Sequence, residues 1–115
     1  MLIRTLEESA QDHRGGQVSF LLHRSTLLAV TWVEGAPRSE QPRHAHEDSE
    51  QVYVILEGAG LMKVGDERRE VRRGMAVVIA PGEVHSIENV GGDPLVYVSA
   101  TAPPFKIPSG RWEDR

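Results

Sequence analysis

The sequence predicts an all-β protein, a small antiparallel β-barrel or double-sheet jelly roll, on three observations. Its 11 glycines and 7 prolines fall between short apolar segments, as in a chain of many tight turns. At least seven of those segments read as strands, at the close spacing that small barrels show. No segment carries a strong 3.6-residue period. Because aromatic residues make up only 5% of the chain, the core is expected to rest mainly on Val, Ile and Leu.

In order along the chain, residues 1–14 are polar and read as a surface arm or a short helix start. Gly15-Gly16 is a turn, after which QVSFLLHR (17–24) alternates as a strand. STLLAVTWVE (25–34) is a second strand, ended by Gly35-Ala36-Pro37. Residues 38–50 are polar, with two prolines nearby and the acidic run EDSE, and read as a loop with short strand pieces. QVYVILE (51–57) is the clearest strand. LMKV then pairs through Gly65-Asp66 with RREVRR as a hairpin. MAVVIA, HSIENV and LVYVSAT complete the set, separated by Pro81-Gly82 and by Gly91-Gly92-Asp93-Pro94. The chain is expected to be a single domain over 1–115, with the barrel at 15–102 and an irregular tail at 103–115.

Composition narrows the function classes. The absence of cysteine excludes disulfides, thiolate metal sites and cysteine nucleophiles. A formal charge of −4 gives no electrostatic reason to expect nucleic acid or an anionic membrane as partner. The basic run ERREVRR alternates in sign and reads as a solvated hairpin. Its apolar stretches fall far short of a membrane span. Glu7, Glu8 and Asp12 occupy the opening segment where a signal peptide needs an apolar core, so a cytoplasmic location is expected.

Chemistry concentrates on three of the five histidines. In an extended segment, positions i and i+2 face the same way, so His44-Ala45-His46 presents two imidazoles toward one ion. His13 and His23 lack matching neighbours and read as surface or structural histidines. Downstream, Gln51 follows His46 by five positions and Gly58 follows Gln51 by seven. The second half then carries Gly74, Pro81-Gly82, His85 and Asn89.

HAHEDSEQVYVILEG and GMAVVIAPGEVHSIEN, in that order and separation, resemble the two motifs of the cupin superfamily over about residues 34–89. Three departures stand out: Arg38 occupies a position that is usually glycine, which predicts a longer entry loop; Ala80 stands where proline is usual; and Gln51 replaces the commoner glutamate, with Glu50 beside it. The resemblance implies a double-stranded β-helix holding a divalent first-row metal (Fe, Mn, Ni, Zn or Cu) on His44, His46, Gln51 and His85. Strand parity leaves the fourth ligand open: Glu50 shares parity with His44 and His46, and the turn-like EDS can reset it in favour of Gln51. Tyr53 shares parity with Gln51 and is a candidate polar contact, with core packing as its alternative, and Glu50 or Glu47 is a candidate proton acceptor near the mouth.

An uncharged donor set leaves the ion its full +2 charge, so it binds less tightly and polarises a bound oxygen more strongly. The expected function is therefore a metal-dependent enzyme, of oxygenase or Lewis-acid type, acting on a small-molecule substrate. A non-catalytic binding or sensing module built on the same site is the alternative. The resemblance also implies a homodimer.

Overall fold

The computed structural model describes residues 1–104, and these form nine strands and no helix. β1 (Ala10–Arg14), β2 (Gln17–Arg24), β3 (Ala29–Gly35), β9 (Leu95–Ala102), β4 (Glu50–Glu57) and β7 (Ala76–Ile79) lie side by side in that order in one antiparallel sheet. A second sheet orders β6 (Glu67–Arg72), β5 (Ala59–Val64) and β8 (His85–Glu88). Isolated bridges Glu40–Glu88 and His44–His85 lay the 38–50 loop along the free side of β8. The tail beyond Pro104 lies outside the described residues.

Two predicted boundaries move and one departure from the motif is accommodated, each for a local reason. The polar arm contains a strand: residues 10–14 pair in register with β2 from Ala10–Leu21 to Arg14–Gln17, turning through Gly15-Gly16. Ser25 to Leu28 form a turn rather than the start of β3. There Ser25 Oγ accepts from the Leu27 and Leu28 amides, a side-chain bond that competes with the ladder. At Arg38 the backbone itself adopts the left-handed conformation, with φ 68°, at the position where a glycine was missing. Its amide donates to the Asn89 carbonyl, tying the loop to the end of β8.

Gly58, between β4 and β5, has φ 79°, and a Cβ there would run into the Pro94 carbonyl oxygen, so both conformation and space demand glycine. Asn89 donates to the Gly35 and Asp93 carbonyls and accepts from Gly91, tying the 89–94 turn to the end of β3.

Between the sheets, Val33, Ile55, Met62, Val71, Ile79, Ile87 and Leu95 pack around Tyr53 and Tyr97. The two tyrosine rings stack at 4.9 Å and are the largest fully buried side chains. Outside, the sheets differ. Register places Phe20, Trp32, Val98, Val54 and Ala76 in one continuous row across the first sheet, and Val30, Ala100, Val52 and Val78 in the next. The outer face of the second sheet is charged, with Lys63 bridging Glu40 and Glu88.

Candidate metal centre

His44 and His85 meet because their backbones exchange two hydrogen bonds, His85 N to His44 O at 2.8 Å and His44 N to His85 O at 3.1 Å. Residues opposed in this way project to the same face. His46, two positions on, is held by the Gly82 amide donating to its carbonyl at 3.0 Å. Two segments distant in sequence thus deliver three imidazoles to one spot. Ring centroids lie 4.2 Å apart for His44–His85, 5.1 Å for His44–His46 and 6.1 Å for His46–His85. One ligand nitrogen from each falls within 4.8 Å of the others.

Tautomers follow from the backbone. His44 Nδ1 lies 2.8 Å from the Pro42 carbonyl, and His85 Nδ1 lies 2.8 Å from the Glu83 carbonyl. A carbonyl oxygen only accepts, so in the neutral ring each Nδ1 carries the proton and each Nε2 presents its lone pair. His85 is 1% exposed, and its Nε2 is buried with no hydrogen-bond partner. The His85 pKa is lowered from 6.5 to about 4, chiefly by burial and also by the neighbouring His44 and His46, against the opposing pull of the Glu83 carbonyl. At neutral pH the ring is therefore the uncharged ligand form. Neutral imidazoles with an aimed, unsatisfied nitrogen suit a first-row divalent ion, and the donors fit one.

Gln51 and Glu50 occupy opposite faces of β4. Gln51 is 1% exposed, and its Nε2 donates to Thr101 Oγ1 at 2.8 Å and to Ser99 Oγ at 3.3 Å. Its Oε1 is buried with no hydrogen-bond partner. Glu50 is exposed on the outer side, so the structure does not bring it to the histidines, and Glu47 is exposed as well. Tyr53 stands edge-on to His85 at 5.7 Å, with its hydroxyl hydrogen-bonded to the Gln41 amide at 3.0–3.1 Å. Tyr97 bonds Gln17 in the same way at 2.9 Å. Trp32 lies on the outer face, donating to Glu34, and Met62 belongs to the core.

Sequence reasoning missed Ser99 and Thr101, which clamp Gln51, and Gln41 and Gln17, which engage the tyrosines. A signal for the first two was present: in LVYVSAT they share the parity of Tyr97, which places two hydroxyls on the inner face of β9. The glutamines had no comparable signal, since their partners lie 12 and 80 positions away.

Among known proteins, the chain is 44% identical over 62 residues to the uncharacterized protein MJ1618 of Methanocaldococcus jannaschii, a match covering 54% of this chain and 50% of that protein. It is 30% identical over 99 residues to the tetracenomycin polyketide synthase protein TcmJ of Streptomyces glaucescens, covering 82% of this chain and 66% of TcmJ. The chain therefore spans half to about two thirds of these two relatives. The crystal structure of TT1209 from Thermus thermophilus superposes with a TM-score of 0.77 at 28% identity, over 90% of this chain and 98% of that one. The Cupin_2 cupin-domain family matches residues 31–101, more than half of the sequence, from within β3 to within β9 and including all three histidines of the cluster, and the chain belongs to that family.

Proposed function

We propose that this cupin holds a divalent first-row transition metal (Fe, Mn, Ni, Zn or Cu) on His44, His46 and His85, with Gln51 as fourth ligand, and works as a metal-dependent enzyme on a small organic molecule. The observation that carries this reading is His85 Nε2, buried without a hydrogen-bond partner while Nδ1 is pinned to a carbonyl. Leaving a buried acceptor unsatisfied costs about 1–3 kcal/mol, which a cation in that place would offset. When bound, the ion supplies Lewis-acid polarisation of a substrate oxygen or activation of dioxygen.

The protein's own groups favour that chemistry over base catalysis. Among the described residues no Asp or Glu is buried, and Glu50 points to solvent. The Tyr53 hydroxyl is held by Gln41 and positions the wall of the site. Similarity to a polyketide synthase protein is in keeping with an organic substrate.

Metal analysis of protein purified without added metal tests the reading. Near-stoichiometric first-row metal is expected, falling at least tenfold in a His44→Ala, His85→Ala double variant; metal-free wild type would overturn it. Oxygen uptake and product analysis across enols, catechols, thiols and diketones then separate turnover from binding. A tight ligand that is never transformed would instead identify a sensing module on the same site.

We also propose that two copies pair through the outer face of the first sheet. Five strands at ~4.8 Å spacing, with apolar rows along them, give a flat area on the order of 500 Å² per copy, enough for a small symmetric interface. Charge-free rows with no strong directional partner suit a second identical face, packed sheet on sheet. Sedimentation equilibrium is expected to show a dimer that Val54→Lys with Val78→Lys converts to monomer; a wild-type monomer at micromolar concentration would overturn the pairing.

A further inference from the structure

We propose that the cavity between β6 and β7 receives the body of this site's ligand, and that it selects an uncharged aromatic molecule whose oxygen-bearing end reaches the histidines. This deepens the metal-site reading and rests on it for the oxygen end alone. β6 and β7 are edge strands of different sheets, and the gap between them opens a cavity of about 470 Å³. That volume falls in the range of small-molecule sites and is ample for one or two fused rings.

Register joins this cavity to the histidines. Val64, in its wall, is paired with His85 across β5 and β8, and Val77, in the opposite wall, is paired with Tyr53 across β7 and β4. Directly opposed residues carry Cβ atoms only about 5 Å apart on the same face, so the side chains lining the cavity adjoin those at the metal centre. Glu83 completes the link: it lines the cavity, and its carbonyl fixes the His85 ring.

The lining sets the ligand class. Met62, Val71 and Met75 give an apolar floor, and the two thioethers make favourable contacts with aromatic ring edges. The lining carries three carboxylates, Glu67, Glu70 and Glu83, against one cation, Arg69; Arg69 lies within 3.9 Å of Glu67, and the Glu83 carboxylate accepts from the Ala80 amide. The net acidic rim repels dianions, and a compact dicarboxylate or phosphate would leave the apolar floor bare. A neutral ring system satisfies both features.

Titration of zinc-loaded and EDTA-treated protein with 2-naphthol, oxalate and inorganic phosphate tests this. 2-Naphthol is expected to bind at least tenfold more tightly than either anion, and Val77→Trp, which fills the cavity, is expected to weaken it at least tenfold with zinc content unchanged. Met75→Trp, at a more yielding position, repeats the block should the first variant fold poorly. Glu67→Lys with Glu70→Lys is expected to raise oxalate affinity severalfold. Naphthol binding that ignores both tryptophans, or oxalate binding more tightly than naphthol, would overturn the assignment. If zinc fails to bind yet naphthol binds in a tryptophan-sensitive way, the metal reading falls and the cavity assignment stands; zinc binding without naphthol binding gives the reverse.

Discussion

The two ends of the barrel interior are made by the same strands and do opposite work. Along the inner face of β4 the side chains run Gln51, Tyr53, Ile55, and along β9 they run Thr101, Ser99, Tyr97, Leu95. At one end Thr101 and Ser99 grip Gln51 through hydrogen bonds; at the other Ile55 and Leu95 pack with Met62, Val71 and Ile87. The stacked tyrosines divide the two, their rings in the core and their hydroxyls on glutamines. A step of two residues on one strand thus separates a side chain held by hydrogen bonds from one buried for its apolar area.

A pair of substitutions, one at each end, is expected to have the largest effects. Ile55→Ala is expected to destabilise the protein by about 3 kcal/mol, through lost burial and a cavity, and to leave metal content per folded molecule unchanged. His85→Leu, at similar burial, is expected to stay within about 1 kcal/mol of wild type, because removing the unsatisfied Nε2 offsets the loss of the Nδ1 bond to the Glu83 carbonyl, while metal is lost. Thermal or denaturant unfolding of EDTA-treated protein with metal analysis measures both. Equal destabilisation would mean that the polar end is core like the rest.

Acid titration reaches the polar end through His85. His85 has its pKa lowered to about 4 in the folded chain, against 6.5 when exposed, so the unfolded chain takes up a proton first as pH falls. The His85 contribution to the stability of the metal-free protein is therefore expected to decline between pH 6.5 and about 4, by up to about 3 kcal/mol. His85→Leu removes this slope. A slope that survives the substitution would place the acid sensitivity elsewhere.

The smallest effect concerns the clamp on Gln51. Thr101→Val keeps the shape of β9 and deletes the 2.8 Å bond to Gln51 Nε2. Metal affinity is expected to fall about tenfold, with little change in melting temperature, as when a partner that orients a ligand is removed. Unchanged affinity, measured by competition with a chelating dye, would remove Gln51 from the ligand set.

Much of this was legible in the chain itself. The strands at 17–24 and 51–57 and the hairpin through Gly65-Asp66 emerge nearly where alternation and turn chemistry place them. So does the meeting of His44, His46 and His85, because paired motifs carry spacing information that a lone His-x-His lacks. β1 was hidden: AQDHR has a polar face on both sides and becomes a strand only because β2 offers it a ladder. Glu50 against Gln51 was undecidable from parity, since the 46–49 turn resets which face follows; Gly82 and Ser49, bonding to the His46 carbonyl, make that turn. The outer rows of the first sheet were present as unbroken apolar runs such as VYVIL, the mark of strands with no polar side.

The carbonyls that hold the His44 and His85 rings belong to Pro42 and Glu83, each two residues upstream of its histidine. Main-chain oxygens come with every amino acid, so no exchange of side chain at 42 or 83 can delete these restraints as long as the path of the chain is kept. Which nitrogen faces inward is thus inherited from the trace of the polypeptide, and the side chains around the site are free to change without disturbing it.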